Sequence, residues 1–213
     1  MRTNLSARPA QAGVLCLAAA AVTGDATSAS AQTPAEPRIA LDATRAHATA
    51  GNAIAVRGRL LGAAPARRIT FQIRRAGRWV AFDRATTDAE GRFALRQRFR
   101  RPLSGHARVI GADGATRSLG RVNVYRRAHA SWYGPGLYGN RLGCGGRLSA
   151  GRLGVAHKTL PCGTRVTFRH RGRSVRVPVI DRGPYVGGRE YDLTEATAQR
   201  LGFRGHGEIL TTR

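Results

Sequence analysis

The sequence predicts an all-β protein in two parts, with one short helix. Three observations carry this expectation. Residues 38–125 break into short runs of alternating apolar and polar residues divided by Gly, Pro, Asp and Asn. From Ala130 onward the chain turns glycine-rich and carries two alternating strands around a tight turn. Helix start and stop signals together mark only the stretch that begins at 192–194. At 213 residues the chain is long enough for two cores of ordinary size.

The first segment reads as an export leader, 1–31. Arg2 and Arg8 supply a positive start, and 14–22, VLCLAAAAV, is an apolar run too short to span a bilayer. Ala29-Ser30-Ala31 then offers a small-x-small cleavage site before Gln32. Cys16 lies inside the apolar run behind Leu15, where a lipid-modified cysteine wants a small residue, so no lipid anchor is expected. After cleavage nothing is apolar for long enough to hold the chain in a membrane, and a secreted protein results. Residues 32–37, QTPAEP, read as a flexible linker.

The expected strands of the first part are 39–43, 53–60, 68–75, 78–85, 92–99, 106–112 and 121–125. Alternation is clearest at Ile69, Phe71 and Ile73, and at Phe93 and Leu95, with polar or basic residues between. Ala76-Gly77 and Asp88-Ala89-Glu90-Gly91 supply turns. Seven short strands of this kind predict a β-sandwich over 38–125. With a Trp in a middle strand and the turn built by Thr87, Asp88, Gly91 and Phe93, the segment resembles the immunoglobulin-like modules that precede catalytic or wall-binding domains in secreted bacterial proteins. Trp79 reads first as a core aromatic, with a ligand platform as the alternative. The resemblance implies a spacer or adhesive role.

In the second part, 129–213, the stretch 166–181 forms two alternating strands about Arg171-Gly172. Thr194 then stands as an N-cap, Glu195 lies in the positive first turn of the helix, and Gly202 ends it. Asp192, just before the helix, reads as an organiser accepting backbone N–H groups rather than a catalyst. Once the leader is removed the only cysteines are Cys144 and Cys162, which in an oxidising compartment predict one disulfide. Without histidine ligands nearby the two thiols do not complete a zinc site. The glycine-rich run 183–189 lacks the spacing of a nucleotide loop, so neither a metal nor another cofactor is expected.

Four segments recur in an order that strand patterning does not explain: ASWYGPGLYGNR (130–141), GVAHKTLPCGTRV (154–166), VPVIDRGPYVGGREYDLTEATAQRLGF (177–203) and HGEILTT (206–212). Together they resemble the RlpA-like (rare lipoprotein A) double-psi β-barrel domain, with the cysteine pair closer to disulfide-bearing expansin and barwin relatives. The resemblance implies a six-stranded barrel acting on peptidoglycan by lytic transglycosylation, in which one acid/base group can serve both proton transfers. It assigns Asp181 and His157 as catalytic and Trp132, Tyr133, Tyr185 and Arg182 as substrate-binding. The aromatics suit the C–H faces of sugars, although Trp132 and Tyr133 can equally be core. His157 can orient substrate or Asp181, or tie two loops together. Arg182 would lower the Asp181 pKa unless it points away. Two carboxylates of the family are missing, because Gly146 and Ser149 stand in their places. A non-catalytic wall-binding or expansin-like wall-loosening module therefore stands beside the enzyme reading.

The formal charge is +24, from 36 Lys+Arg against 12 Asp+Glu, and Lys158 is the only lysine. An arginine excess of this kind reads as GC-rich coding bias or as a surface that collects anions. Nucleic acid is not expected as a partner, since the arginines are spread along the chain without interleaved stacking aromatics.

Overall fold

The computed structural model describes residues 36–213. The expected leader, Cys16 and most of the linker lie outside the described residues. Within them the protein is mostly β with one short helix.

Eight strands fill the first part: β1 (Arg38–Arg45), β2 (His47–Thr49), β3 (Ala53–Leu61), β4 (Arg68–Arg75), β5 (Arg78–Thr86), β6 (Arg92–Arg98), β7 (Leu103–Gly111) and β8 (Thr116–Tyr133). One sheet has the order β1-β3-β6, and β5-β4-β7-β8 with β2 beside β8 makes the facing layer. Alternation works as the sequence expects. Ile54 and Val56 of β3, Ile69, Phe71 and Ile73 of β4, and Phe93 and Leu95 of β6 all point into one shared apolar core. The three-residue β2 pairs in parallel with Asn123, Val124 and Tyr125 and is too short to leave a periodic signal.

Trp79 does not join that core. It lies on β5, an edge strand of its sheet, with 37% of its surface exposed and the Arg108 guanidinium 4.2 Å above its ring. An edge strand has a neighbour on one side only, so the expected core aromatic becomes a surface platform already covered by a cation.

The run expected at 121–125 belongs to an 18-residue strand, since β8 continues through the second part as far as Tyr133. There it joins β9 (Val155–Ala156), β10 (Arg165–His170), β11 (Arg173–Asp181), β12 (Tyr191–Thr194) and β13 (Gly207–Thr211). The pairings β8–β13, β13–β10, β10–β11, β11–β9, β9–β12 and β12–β8 close a ring of six strands. Its interior is packed with Val155, Val166, Phe168, Val177, Tyr191, Leu193 and Ile209. Arg171 and Gly172 both have positive φ, 44° and 84°, as a two-residue turn between twisted strands requires.

Helix α1 (Glu195–Leu201) starts and stops where its sequence signals stand. The Thr194 side chain accepts from the Thr197 N–H, and Gly202 ends the helix in the left-handed conformation at φ 62°. Cys144 and Cys162 form a disulfide, with Cα atoms 5.6 Å apart, that joins the β8–β9 and β9–β10 connections.

Candidate functional site

Directly paired residues on neighbouring strands point to the same side of a sheet. In the ring, Ser131 of β8 pairs with Asp192 of β12, Asp192 with Ala156 of β9, and Ala156 with Asp181 at the end of β11. These four therefore form one lateral row, on the side opposite the packed interior. The two carboxylates flank a residue with only a methyl side chain. Two strand spacings separate their backbones by about 10 Å. Tyr133, two residues beyond Ser131, stands on the same side, and Tyr185 and Val186 at the tip of the following loop complete an open recess. Tyr185 is 81% exposed there.

Asp181 is held from one side. Its Oδ1 accepts the backbone N–H of Gly143 at 2.7 Å and that of Arg182 at 2.8 Å, and its second oxygen has no such partner. Gly143 is required for this approach, because a Cβ on it would come within 2.8 Å of Arg182 Cγ and 3.1 Å of Asp181 Oδ1. Arg182 itself points away. Its guanidinium donates to the carbonyls of His157 (3.1 Å) and Leu160 (2.9 Å) and reaches Cys162 Sγ at 2.9 Å. It is thus committed to holding the 157–162 connection.

Asp192 is half-buried and accepts the Ser131 hydroxyl at 2.8 Å. No backbone N–H bonds its carboxylate, so it is not the helix organiser that its position suggests. Burial raises its pKa, with the charge of Asp181 adding to the rise and Ser131 and Arg189 opposing it. The Tyr133 hydroxyl is buried without a hydrogen-bond partner, yet it lies close enough to both carboxylates to feel their charge. Burial first, then Asp181 and Asp192, push its pKa upward, so the phenol keeps its proton. The recess therefore offers one anchored acceptor, one carboxyl group biased toward its protonated form, and one uncommitted O–H donor.

The other expected site residues fall elsewhere. Trp132 alternates with Tyr133 and packs against the ring core, bordering a separate depression beside α1 with Arg173 and Phe203. His157 lines a third depression, with His129 and Glu190. Its Nδ1 accepts the backbone N–H groups of Thr159 (3.1 Å) and Leu160 (3.0 Å), leaving Nε2 3.9 Å from Glu190. Burial lowers its pKa and the Arg126 and Arg182 charges add to that, while Glu190 opposes it. Burial works against the Glu190 charge, but the bonded Arg126 guanidinium holds this carboxyl below its ordinary range. Of the expected set, the recess thus brings together Asp181, Tyr133, Tyr185 and the backbone of Arg182. The residue of the recess that the sequence reading left out of the site is Asp192. Its signal lies in lateral strand pairing, which linear spacing does not carry.

Residues 126–211 match the family model described as "Lytic transglycolase". The chain is 42% identical over 118 residues to the probable endolytic peptidoglycan transglycosylase RlpA of Synechocystis, an overlap of 50% of this chain and 37% of that protein. To the corresponding Aquifex aeolicus protein it is 42% identical over 87 residues, 40% of this chain and 38% of the other. To the Neisseria meningitidis RlpA it is 44% identical over 81 residues, 37% and 34% of the two chains. The chain thus spans little more than a third of these relatives' length. A solved structure, Streptomyces papain inhibitor, is 26% identical with a TM-score of 0.35, over 41% of this chain and 92% of its own.

Proposed function

We infer that this chain, whose residues 126–211 belong to the RlpA-like lytic transglycosylase family, cleaves the glycan strands of peptidoglycan in the cell envelope. On this reading the six-stranded ring is a double-psi β-barrel, the preceding strands form an immunoglobulin-like sandwich, and the leader directs export. The observation that carries it is the row of Asp192, Ala156 and Asp181, in which a carboxyl group with a raised pKa faces an anchored carboxylate across a methyl-floored gap.

Lytic cleavage breaks the bond from the sugar C1 to the glycosidic oxygen and closes a new one from C6 oxygen to C1, so no water is consumed. The leaving oxygen needs a proton and the C6 hydroxyl must lose one. Asp192, biased toward the protonated state, donates the first and then accepts the second. Asp181 presents its free oxygen as a negative charge opposite the developing positive charge at C1. Tyr133 donates to a sugar oxygen, and Tyr185 stacks on a ring face at the rim. His157 acts as a tie for the loop beside the recess.

Purified sacculi, intact and stripped of stem peptides, are incubated with the protein and the products analysed by mass spectrometry. Wild type is expected to release anhydro-muropeptides, and Asp192→Asn and Asp181→Asn each to slow release by about 100-fold or more with folding retained. Full cleavage by both variants would overturn the assignment of the recess. Wild-type binding to sacculi with no cleavage would favour the wall-binding reading, to which the loss of carboxylates at Gly146 and Ser149 already lends support.

A further inference from the structure

The outer face of the β1-β3-β6 sheet carries a regular pattern that the glycan site does not use. Paired residues across its three strands read Arg45, Ala55, Arg96 in one row and Ala43, Arg57, Ala94 in the next. Beyond these two rows the alternation gives way, with Ala53 opposite Arg98 at one end and Arg59 opposite Arg92 at the other. The result is a cluster of guanidinium groups around an alanine floor, enclosing a shallow depression lined by Arg45, Arg57, Arg96 and Arg98. Same-face neighbours along a strand lie about 7 Å apart and strands about 5 Å apart, so positive charges recur about every 5 to 10 Å.

Most of these arginines have no acidic partner within the fold. Among the described residues only Arg92 of the face is ion-paired, with Asp88 and Glu90, and none of Arg45, Arg57, Arg59, Arg96 and Arg98 is. On the opposite sheet Arg108 stacks on Trp79 and bonds Gln72, and Arg121 bonds Ser104 and His106, so part of the charge there is engaged within the fold. Coding bias accounts for many arginines, but it does not by itself gather four unpaired ones around one depression floored by Ala43, Ala53 and Ala55.

We propose that this face binds a flexible envelope polyanion of the polyol-phosphate class, a second binding surface independent of glycan cleavage. Each guanidinium fork matches the two free oxygens of a phosphodiester. No aromatic stands on the face to stack a nucleobase, which separates it from a single-stranded nucleic-acid surface. No large apolar side chain stands there to enter a bilayer. Of the residues lining the depression only Thr44 and Asn52 carry neutral hydrogen-bonding side chains for the amide groups of a peptide polymer, and the Asn52 amide already donates to Thr49. What remains is a chain of charges joined by short, unadorned carbon links.

The test is equilibrium binding of the purified chain to poly(glycerol phosphate), polyglutamate, a dT oligonucleotide and anionic vesicles. It compares wild type with the triple variant Arg57→Gln/Arg96→Gln/Arg98→Gln and a charge-matched control, Arg67→Gln/Arg100→Gln/Arg101→Gln. The face variant is expected to lose poly(glycerol phosphate) affinity by about tenfold or more at low salt, the control by less than about threefold. Both variants should cleave sacculi at the wild-type rate, so a failed glycan reading leaves this result untouched. If the face variant melts early, Arg57→Lys/Arg96→Lys/Arg98→Lys replaces it and is expected to bind several-fold more weakly than wild type, because the fork is lost while the charge stays. Equal losses in face and control variants would overturn the proposal, as would equal binding of polyglutamate or face-dependent binding confined to the oligonucleotide or vesicles.

Discussion

Burial displaces the pKa of two side chains near the recess, and each gives stability a pH dependence of known sign. Burial raises the Asp192 pKa in the folded chain above its ordinary 3.8. A raised carboxyl contributes its stability below the unfolded value and loses it as pH rises through the folded one. At pH 7 the ionised group is therefore a cost, and Asp192→Asn, which still accepts from Ser131, should melt at a higher temperature than wild type. That advantage should shrink as pH falls toward 3.8. Wild type melting above the variant at pH 7 would contradict the strained-carboxyl reading. His157 runs the other way. Its folded pKa lies below 6.5, so its contribution is complete above that value and is lost as pH falls through the folded one. Protonation also removes the Nδ1 acceptor that Thr159 and Leu160 use. In His157→Asn, whose amide oxygen accepts at any pH, the stability difference from wild type should narrow below pH 6.5. A gap independent of pH would remove His157 from the loop-tying role.

At the scale of elements, the recess depends on connections more than on strands. The β8–β9 connection presents the Gly143 N–H to Asp181, and the β9–β10 connection carries the carbonyls that Arg182 bonds. The Cys144–Cys162 disulfide, closing a separation of 18 residues, ties the two together. Replacing both cysteines with serine should cost about 3 kcal/mol on the loop-entropy model, read from denaturant midpoints. Because Arg182 and Gly143 still hold the frame, glycan binding should weaken less than stability. A double variant as stable as wild type would mean that these connections are already fixed by the hydrogen bonds alone.

For the molecule as a whole, β8 is the decisive element. Its first residues pair with β7 and its last with β12 and β13, so one strand runs from the first apolar core to the second without a break. Tyr125, near its middle, is 2% exposed, and the Arg169 charge of β10 reaches both it and His47. A flexible linker would leave the two cores to unfold independently, whereas a continuous strand couples them. Calorimetry should therefore give one transition for wild type. Inserting a Gly-Ser segment between Tyr125 and Arg126 should split it into two. Two transitions in wild type would show that the shared strand transmits no cooperativity.

By itself the sequence determined the β character of the chain, the positions of seven strands in its first part and two in its second, the caps of α1 and the cysteine pair. Alternation, capping and turn residues act over a few neighbours and are written in linear order. It also singled out Asp181, Tyr133 and Tyr185. Four matters were left to the tertiary structure, all for one reason. Trp79 is exposed because β5 has a neighbour on one side only. Asp192 meets the recess because β12, β9 and β11 pair laterally, and Arg182 turns to carbonyls that another connection brings beside it. The arginines of β1, β3 and β6 become one face because register aligns residues more than 50 positions apart. Which side chains meet across strands is decided by pairing and register, and those are set by the packing of whole sheets.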